Sequence, residues 1–234
     1  MKVIINPLFQ LIAQGEHQQQ DFKYCINDSR KIAKSLVAFA NSQGGRLLVG
    51  VKDNGKIAGV RSEEEYYMVE AAAKIYSNPA IDFEVQQWDA EGKTVLEIYI
   101  HPSKNRPHYA ENDERKWVAY IRKDDENIVA NRVLLKAWKL ERNKNGLFFK
   151  YNDTRKILVK YLEENQEITL SKFCKIAQIN RIVAENILAE FLNLKCIAIE
   201  LHKTPVVYTL NATFDLKRLS WLFMKVFIIF AQTN

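Results

Sequence analysis

Cysteine is scarce and scattered in this chain. Cys25, Cys174 and Cys196 are odd in number and far apart, with no C-x-x-C pair or Cys/His cluster. Neither a structural zinc nor a disulfide framework is legible in that spacing. His101 and His108 lie seven residues apart across Pro102 and Pro107, which is not metal-ligand spacing either. Long hydrophobic runs are missing too. Leu219 to Ala231 is 13 residues long and broken by Lys225, whereas a span needs ~20. It reads as a docking helix at a subunit contact, and no membrane partner is expected. Asn6, Pro7 and Gln10 interrupt any apolar core of a signal peptide, so cytoplasm is the expected location. Glycine is sparse as well. Gly44-Gly45 and Gly50 fit neither G-x-x-x-x-G-K-[ST] nor G-x-G-x-x-G, so no nucleotide-cradling loop and no cofactor is implied.

Nor does one sign of charge dominate. The net charge of +6 and pI near 9.1 divide evenly, +3 in residues 1–150 and +3 in 151–234. That balance permits polyanion binding without a basic tail. A hydrophobic content of 47% is ample for a buried core.

What is present concentrates between Ala38 and Val60. Ile32, Ala33, Leu36, Val37 and Ala40 recur at helical spacing, predicting a helix over Ser29 to Asn41. Gly44 and Gly45 supply conformations at which it stops. Leu47, Leu48, Val49 and Val51 form the apolar run of a strand covered on both faces. Asn54-Gly55 then signals a hairpin to a returning strand.

Elsewhere the pattern predicts a short helix over 1–14 and a capping box at Ser62-Glu63-Glu64-Glu65 opening a helix to about Ser77. Strands follow over 83–87, 95–100 and 117–122, then a helix from Asn127 to Leu140. This gives an α+β domain over 1–142, a mixed sheet with flanking helices, and then a polar linker over 143–153. Helices from Thr154, Thr169 and Asn180, and a hairpin over 198–201 and 206–210, predict a small winged helix-turn-helix over 154–212. An apolar helix or tail occupies 213–234.

Gly15-Glu16, Asp21-Phe22-Lys23, Phe39-Ala40-Asn41, Gly44-Gly45, Gly50-Val51, Asp53, Gly55, Gly59 and Tyr120-Ile121-Arg122 fall in one order along residues 10 to 140. In that combination the chain resembles the Schlafen-type Alba-like domain of a DNA-binding family, bacterial regulator branch. The resemblance implies a nucleic-acid-binding protein, a bacterial transcriptional regulator. It also implies, for RNA-cleaving branches, a three-carboxylate site at Glu16, Asp21 and Asp53. Such a site would hold Mg²⁺ or Mn²⁺ and run as an endoribonuclease. Asp21 stands where the family has the longer Glu. An ordinary turn also wants Asp53. A third alternative is an oligomeric interaction module, a homo-oligomer without nucleic acid.

For nucleic acid, DNA or RNA, the candidate contacts are Lys23, Arg46, Arg122 and Lys123 at strand ends, and Lys104 and Arg106 on a loop. Arg181 and Asn186 would lie on a recognition helix and Lys203 in the wing.

Overall fold

The computed structural model describes residues 6–143, 147–211 and 228–229. Two compact units divide the chain, Met1–Val129 and Ala130–Asn234. The first begins with α1 (Pro7–Ala13), β1 (Gln20–Lys23), α2 (Ser29–Asn41), β2 (Gly45–Val49), α3 (Glu64–Lys74) and β3 (Ser77–Asn78). It continues with β4 (Glu84–Ala90), β5 (Lys93–Ile100), β6 (Tyr109–Glu111), β7 (Trp117–Val118), β8 (Tyr120–Lys123) and β9 (Glu126–Val129).

α2 forms where periodicity places it. Asp28 caps it by accepting from the Arg30 amide, and Ile32, Ala33, Leu36, Val37 and Ala40 are buried. At Gly45 a Cβ would lie 2.5 Å from the Phe39 ring and 2.9 Å from the Gln19 carbonyl oxygen. Only glycine lets β2 start so close beneath the end of α2.

The main sheet has order β1-β2-β5-β4, with β1 parallel to β2 and the other pairs antiparallel. Leu47 and Val49 point into a core shared with α2 and α3. Leu48 and Val51 point into a second, built from Leu8, Phe22, Ala90 and Val95. The continuous apolar run of β2 is thereby explained, since both faces are covered.

Four expectations need correction. The Asn54-Gly55 turn forms, with the Lys52 amide donating to Lys56 O at 3.0 Å and Lys56 N to Asn54 Oδ1 at 3.1 Å. Its returning limb is a single bridge, Val51 to Ile57, because Gly50 O takes the next two amides, Ala58 and Gly59. The capping box is not closed by Glu65. Ser62 Oγ accepts from Glu64 N, while Glu65 turns inward and is buried. The strand expected over 117–122 is two, β7 and β8, pairing in different sheets. The helix expected from Asn127 starts only at Arg132, because residues 126–129 pair with β8 as a hairpin, Tyr120 opposite Val129.

The second unit contains α4 (Arg132–Glu141), β10 (Leu147–Phe148), α5 (Asp153–Asn165), β11 (Glu167–Thr169), α6 (Leu170–Ala177), α7 (Arg181–Asn193), β12 (Ile197–Glu200), β13 (Val207–Leu210) and β14 (Ile228–Ile229). Asn131, Asn152, Thr169 and Asn180 cap α4, α5, α6 and α7 with their side chains. Val133 and Ala137 of α4 share a core with Leu158, Phe173, Leu188 and Phe191. α4 therefore packs with this unit, and the chain divides near residue 130, not after residue 142. β11, β13 and β12 form an antiparallel sheet in that order.

Residues 144–146 of the expected linker and most of the tail lie outside the described residues. At Ile228–Ile229 the tail is strand, not helix, antiparallel to β10. No helix among the described residues is long and apolar enough to cross a membrane.

Candidate nucleic-acid interface

β1 delivers Asp21 and Lys23 to one place, with Phe22 between them sunk into the core and 1% exposed. Asp21 is buried and surrounded. Lys23 Nζ lies 2.9 Å from its Oδ2, Arg122 Nη2 3.5 Å from Oδ1, and Ser35 Oγ donates to it at 3.2 Å. Glu16 reaches the same carboxylate while its Oε1 accepts from the Phe22 amide at 2.8 Å. Burial, and then the hydrogen bond shared with Asp21, raise the Glu16 carboxyl above its ordinary value. Burial also acts to raise Asp21. There the Glu16 bond, Lys23 and Arg122 together outweigh it and hold the carboxyl low. Of the pair, Glu16 is the weaker acid and Asp21 the stronger.

The consequence for pH follows from the direction at Glu16. A carboxyl raised in the folded state contributes stability in full below its unfolded value, near 4.5, and loses it as pH rises through the folded value. Glutamine can still accept from Phe22 and donate to Asp21 with no proton to lose. Glu16→Gln is therefore expected to abolish that decline and match or exceed the parent at pH 8. Glu16→Ala should cost about 1–3 kcal/mol there by stranding the Phe22 amide. Urea melts at pH 5 and pH 8 check this; a glutamine variant that weakens as much as the alanine one contradicts it.

Asp53 does not join the pair. It sits exposed in the turn after β2, and among the described residues no three His, Cys, Asp or Glu side chains gather closely enough to hold a metal ion. The three-carboxylate arrangement is thus reduced to two acids, whose charged member already faces Lys23 and Arg122.

The candidate cations divide sharply. Arg122 is no phosphate contact: its side chain is 2% exposed. Its guanidinium donates to Gln20 O and Asn127 Oδ1, each at 3.2 Å, and stacks 5.3 Å from the Phe39 ring centroid. Lys23 is bound to Asp21, and Arg46 pairs with Glu97 at 3.3 Å. Lys104 and Lys123 enter no ion pair among the described residues; Lys104 is exposed and Lys123 half-buried. Arg106 is half-buried on the same loop as Lys104.

The end of α2 holds both of these segments. Ser103 N donates to Ala40 O at 2.8 Å, and Ser42 Oγ accepts from Arg122 N at 2.9 Å. His108, buried at the base of the loop, bonds Pro79 O and Ser103 Oγ, and burial pushes its pKa down. The loop carrying Lys104 is therefore pinned at both ends.

In the second unit Arg181 is 71% exposed and bonds Glu185 at 3.1 Å. Asn186 accepts from Lys136 of α4 at 2.7 Å, and Lys136 also pairs with Glu185. α4 thus engages the polar face of α7 that was expected to meet base edges. Lys203 pairs with Glu167.

Ser35, Asn41 and Asn127 were not expected at this cluster. Ser35 bonds Asp21 from the middle of α2 and Asn127 of β9 bonds Ser35, while Asn41 at the end of α2 bonds the His108 and Tyr120 main chain. Asn41 stood in the sequence pattern, whereas Ser35 and Asn127 carry no local signal.

Residues 16–131 match the family model "Schlafen, AlbA_2". That segment, just under half of the chain, holds the acid cluster, the α2 clamp and both unpaired lysines. No curated protein matches the chain. Among solved structures it is similar to the DIP2311 protein from Corynebacterium diphtheriae, at 18% identity and a TM-score of 0.42 over 65% of this chain. The chain spans 31% of that protein's length. It is also similar to the N-terminal domain of a RecG-related protein from Nitrosomonas europaea, at 22% identity and a TM-score of 0.36, over 46% of this chain and 80% of that one.

Proposed function

We propose that this chain is a nucleic-acid-binding protein, a cytoplasmic regulator of transcription. Its Schlafen-type segment would supply the phosphate contacts. The match over residues 16–131 carries the reading; the basic pI and the unpaired Lys104 and Lys123 beside the end of α2 support it. The buried and paired cations, Arg122, Lys23 and Arg46, then serve as scaffold, and solvent-facing ones meet the ligand. The second unit is read as a winged helix on its order of helix, strand, two helices and hairpin. With α7 engaged by α4, its place is packing or dimer formation more than base readout.

Salt dependence tests the assignment. Each phosphate neutralised on duplex DNA contributes roughly 0.9 to the slope of log affinity against log salt. Lys104→Ala with Lys123→Ala should lower that slope by about 2, alike on unrelated sequences. An unchanged slope removes these two lysines from the interface.

A further inference from the structure

Tyr24 stands out because its neighbours in sequence do not resemble it. Phe22 and Ile26 are buried, yet Tyr24 is 43% exposed directly after β1. Two cations attend its ring. Lys52, just beyond β2, places its ammonium 5.1 Å from the ring centroid, and the guanidinium carbon of Arg61 lies at 5.3 Å. Arg61 Nη2 also donates to the Tyr24 hydroxyl at 3.2 Å. Neither cation enters an ion pair among the described residues, unlike Lys23, Arg30, Arg46 and Arg122.

The arrangement is built from beneath. Glu65 is 4% exposed and is bonded by backbone groups of Arg61 and Ile26, which ties the segment after Tyr24 to the segment carrying Arg61. Burial raises its carboxyl, the chief effect on it.

We propose that Tyr24, Lys52 and Arg61 form a subsite for single-stranded nucleic acid, in which a base stacks on the ring and the two cations hold the adjoining phosphate. This rests on the nucleic-acid reading and assigns it a strand form. An exposed aromatic ring accepts a base only when that base is free of its own stack, which single strands offer and duplexes do not. Stacking is sequence-tolerant and contributes about 1–3 kcal/mol per base. The cations add a salt-dependent component of roughly 0.7 slope units each on single strands.

Fluorescence anisotropy of the full chain with a labelled oligouridine of roughly 12 nucleotides, and with the matching duplex, tests it. Tyr24→Ala should weaken single-strand binding by about 5- to 100-fold and duplex binding by less than about twofold, while Tyr24→Phe retains the affinity. Lys52→Ala with Arg61→Ala should lower the single-strand salt slope by roughly 1.4. An oligomer with abasic sites should lose affinity for the unaltered protein much as Tyr24→Ala does, a comparison that needs no folded variant. If the parent binds the single strand and neither Tyr24→Ala nor base removal weakens it, the subsite is overturned and nucleic-acid binding stands. If the parent binds neither probe at low salt, both fall.

Discussion

Asp21→Ala should be among the most damaging single substitutions in the first unit, costing about 3–5 kcal/mol. It removes the carboxylate facing Arg122 and Lys23 while leaving the guanidinium buried. Arg122 has no reserve for the loss, since its Nε is already buried without a hydrogen-bond partner. Glu16 also loses its hydrogen-bond partner. Adding Arg122→Met removes the stranded charge and keeps an unbranched chain against Phe39, so the double variant should recover much of the deficit. Chemical denaturation of the parent, the two single variants and the double variant measures this. A loss below about 1 kcal/mol in Asp21→Ala, or a double variant no better than the single, would show that the buried pair does not stabilise the unit.

Asn41→Ala should cost about 3 kcal/mol or more. The Asn41 side chain is buried and answers three main-chain groups at once. Its amide donates to His108 O at 2.9 Å and Tyr120 O at 2.8 Å, and its oxygen accepts from His108 N at 2.7 Å. Truncation strands all three in the interior, at about 1–3 kcal/mol for each group left without a partner, with incomplete additivity. Asn41→Asp keeps the acceptor and loses the donors, so it should fare little better. Hydrogen exchange locates the effect: the amide of His108 should lose protection in Asn41→Ala before the strands β2 and β5 do. Uniform loss across the unit, or none, contradicts the clamp.

Much of the first unit was legible because its signals are local. α2 could be bounded from its apolar period and the glycine pair that follows. β2 could be read as doubly covered from an unbroken apolar run. β9 was misread for a related reason. Val129, Val133 and Ala137 satisfy a helical spacing, and only pairing with β8 makes residues 126–129 a strand. α4 was placed in the wrong unit because an amphipathic face does not say which core it enters.

The site was harder to read, because a charged residue in a sequence carries no mark of its partner. Arg122 and Lys104 look equivalent in the chain. Yet one is sealed against Asp21, distant in sequence, and the other is exposed. The sequence pattern named Glu16 and Asp21, which hydrogen-bond to each other. It did not foresee that Asp53, answering the needs of its turn, stays apart from them.

The most direct test of the account is the salt dependence of nucleic-acid binding by the intact chain, measured by anisotropy with labelled single-stranded RNA and duplex DNA. Binding at low salt whose logarithm falls linearly with log salt is the expected result, as counterion release by a few lysine and arginine contacts requires. No binding to either probe at low salt, or binding indifferent to salt, would contradict it.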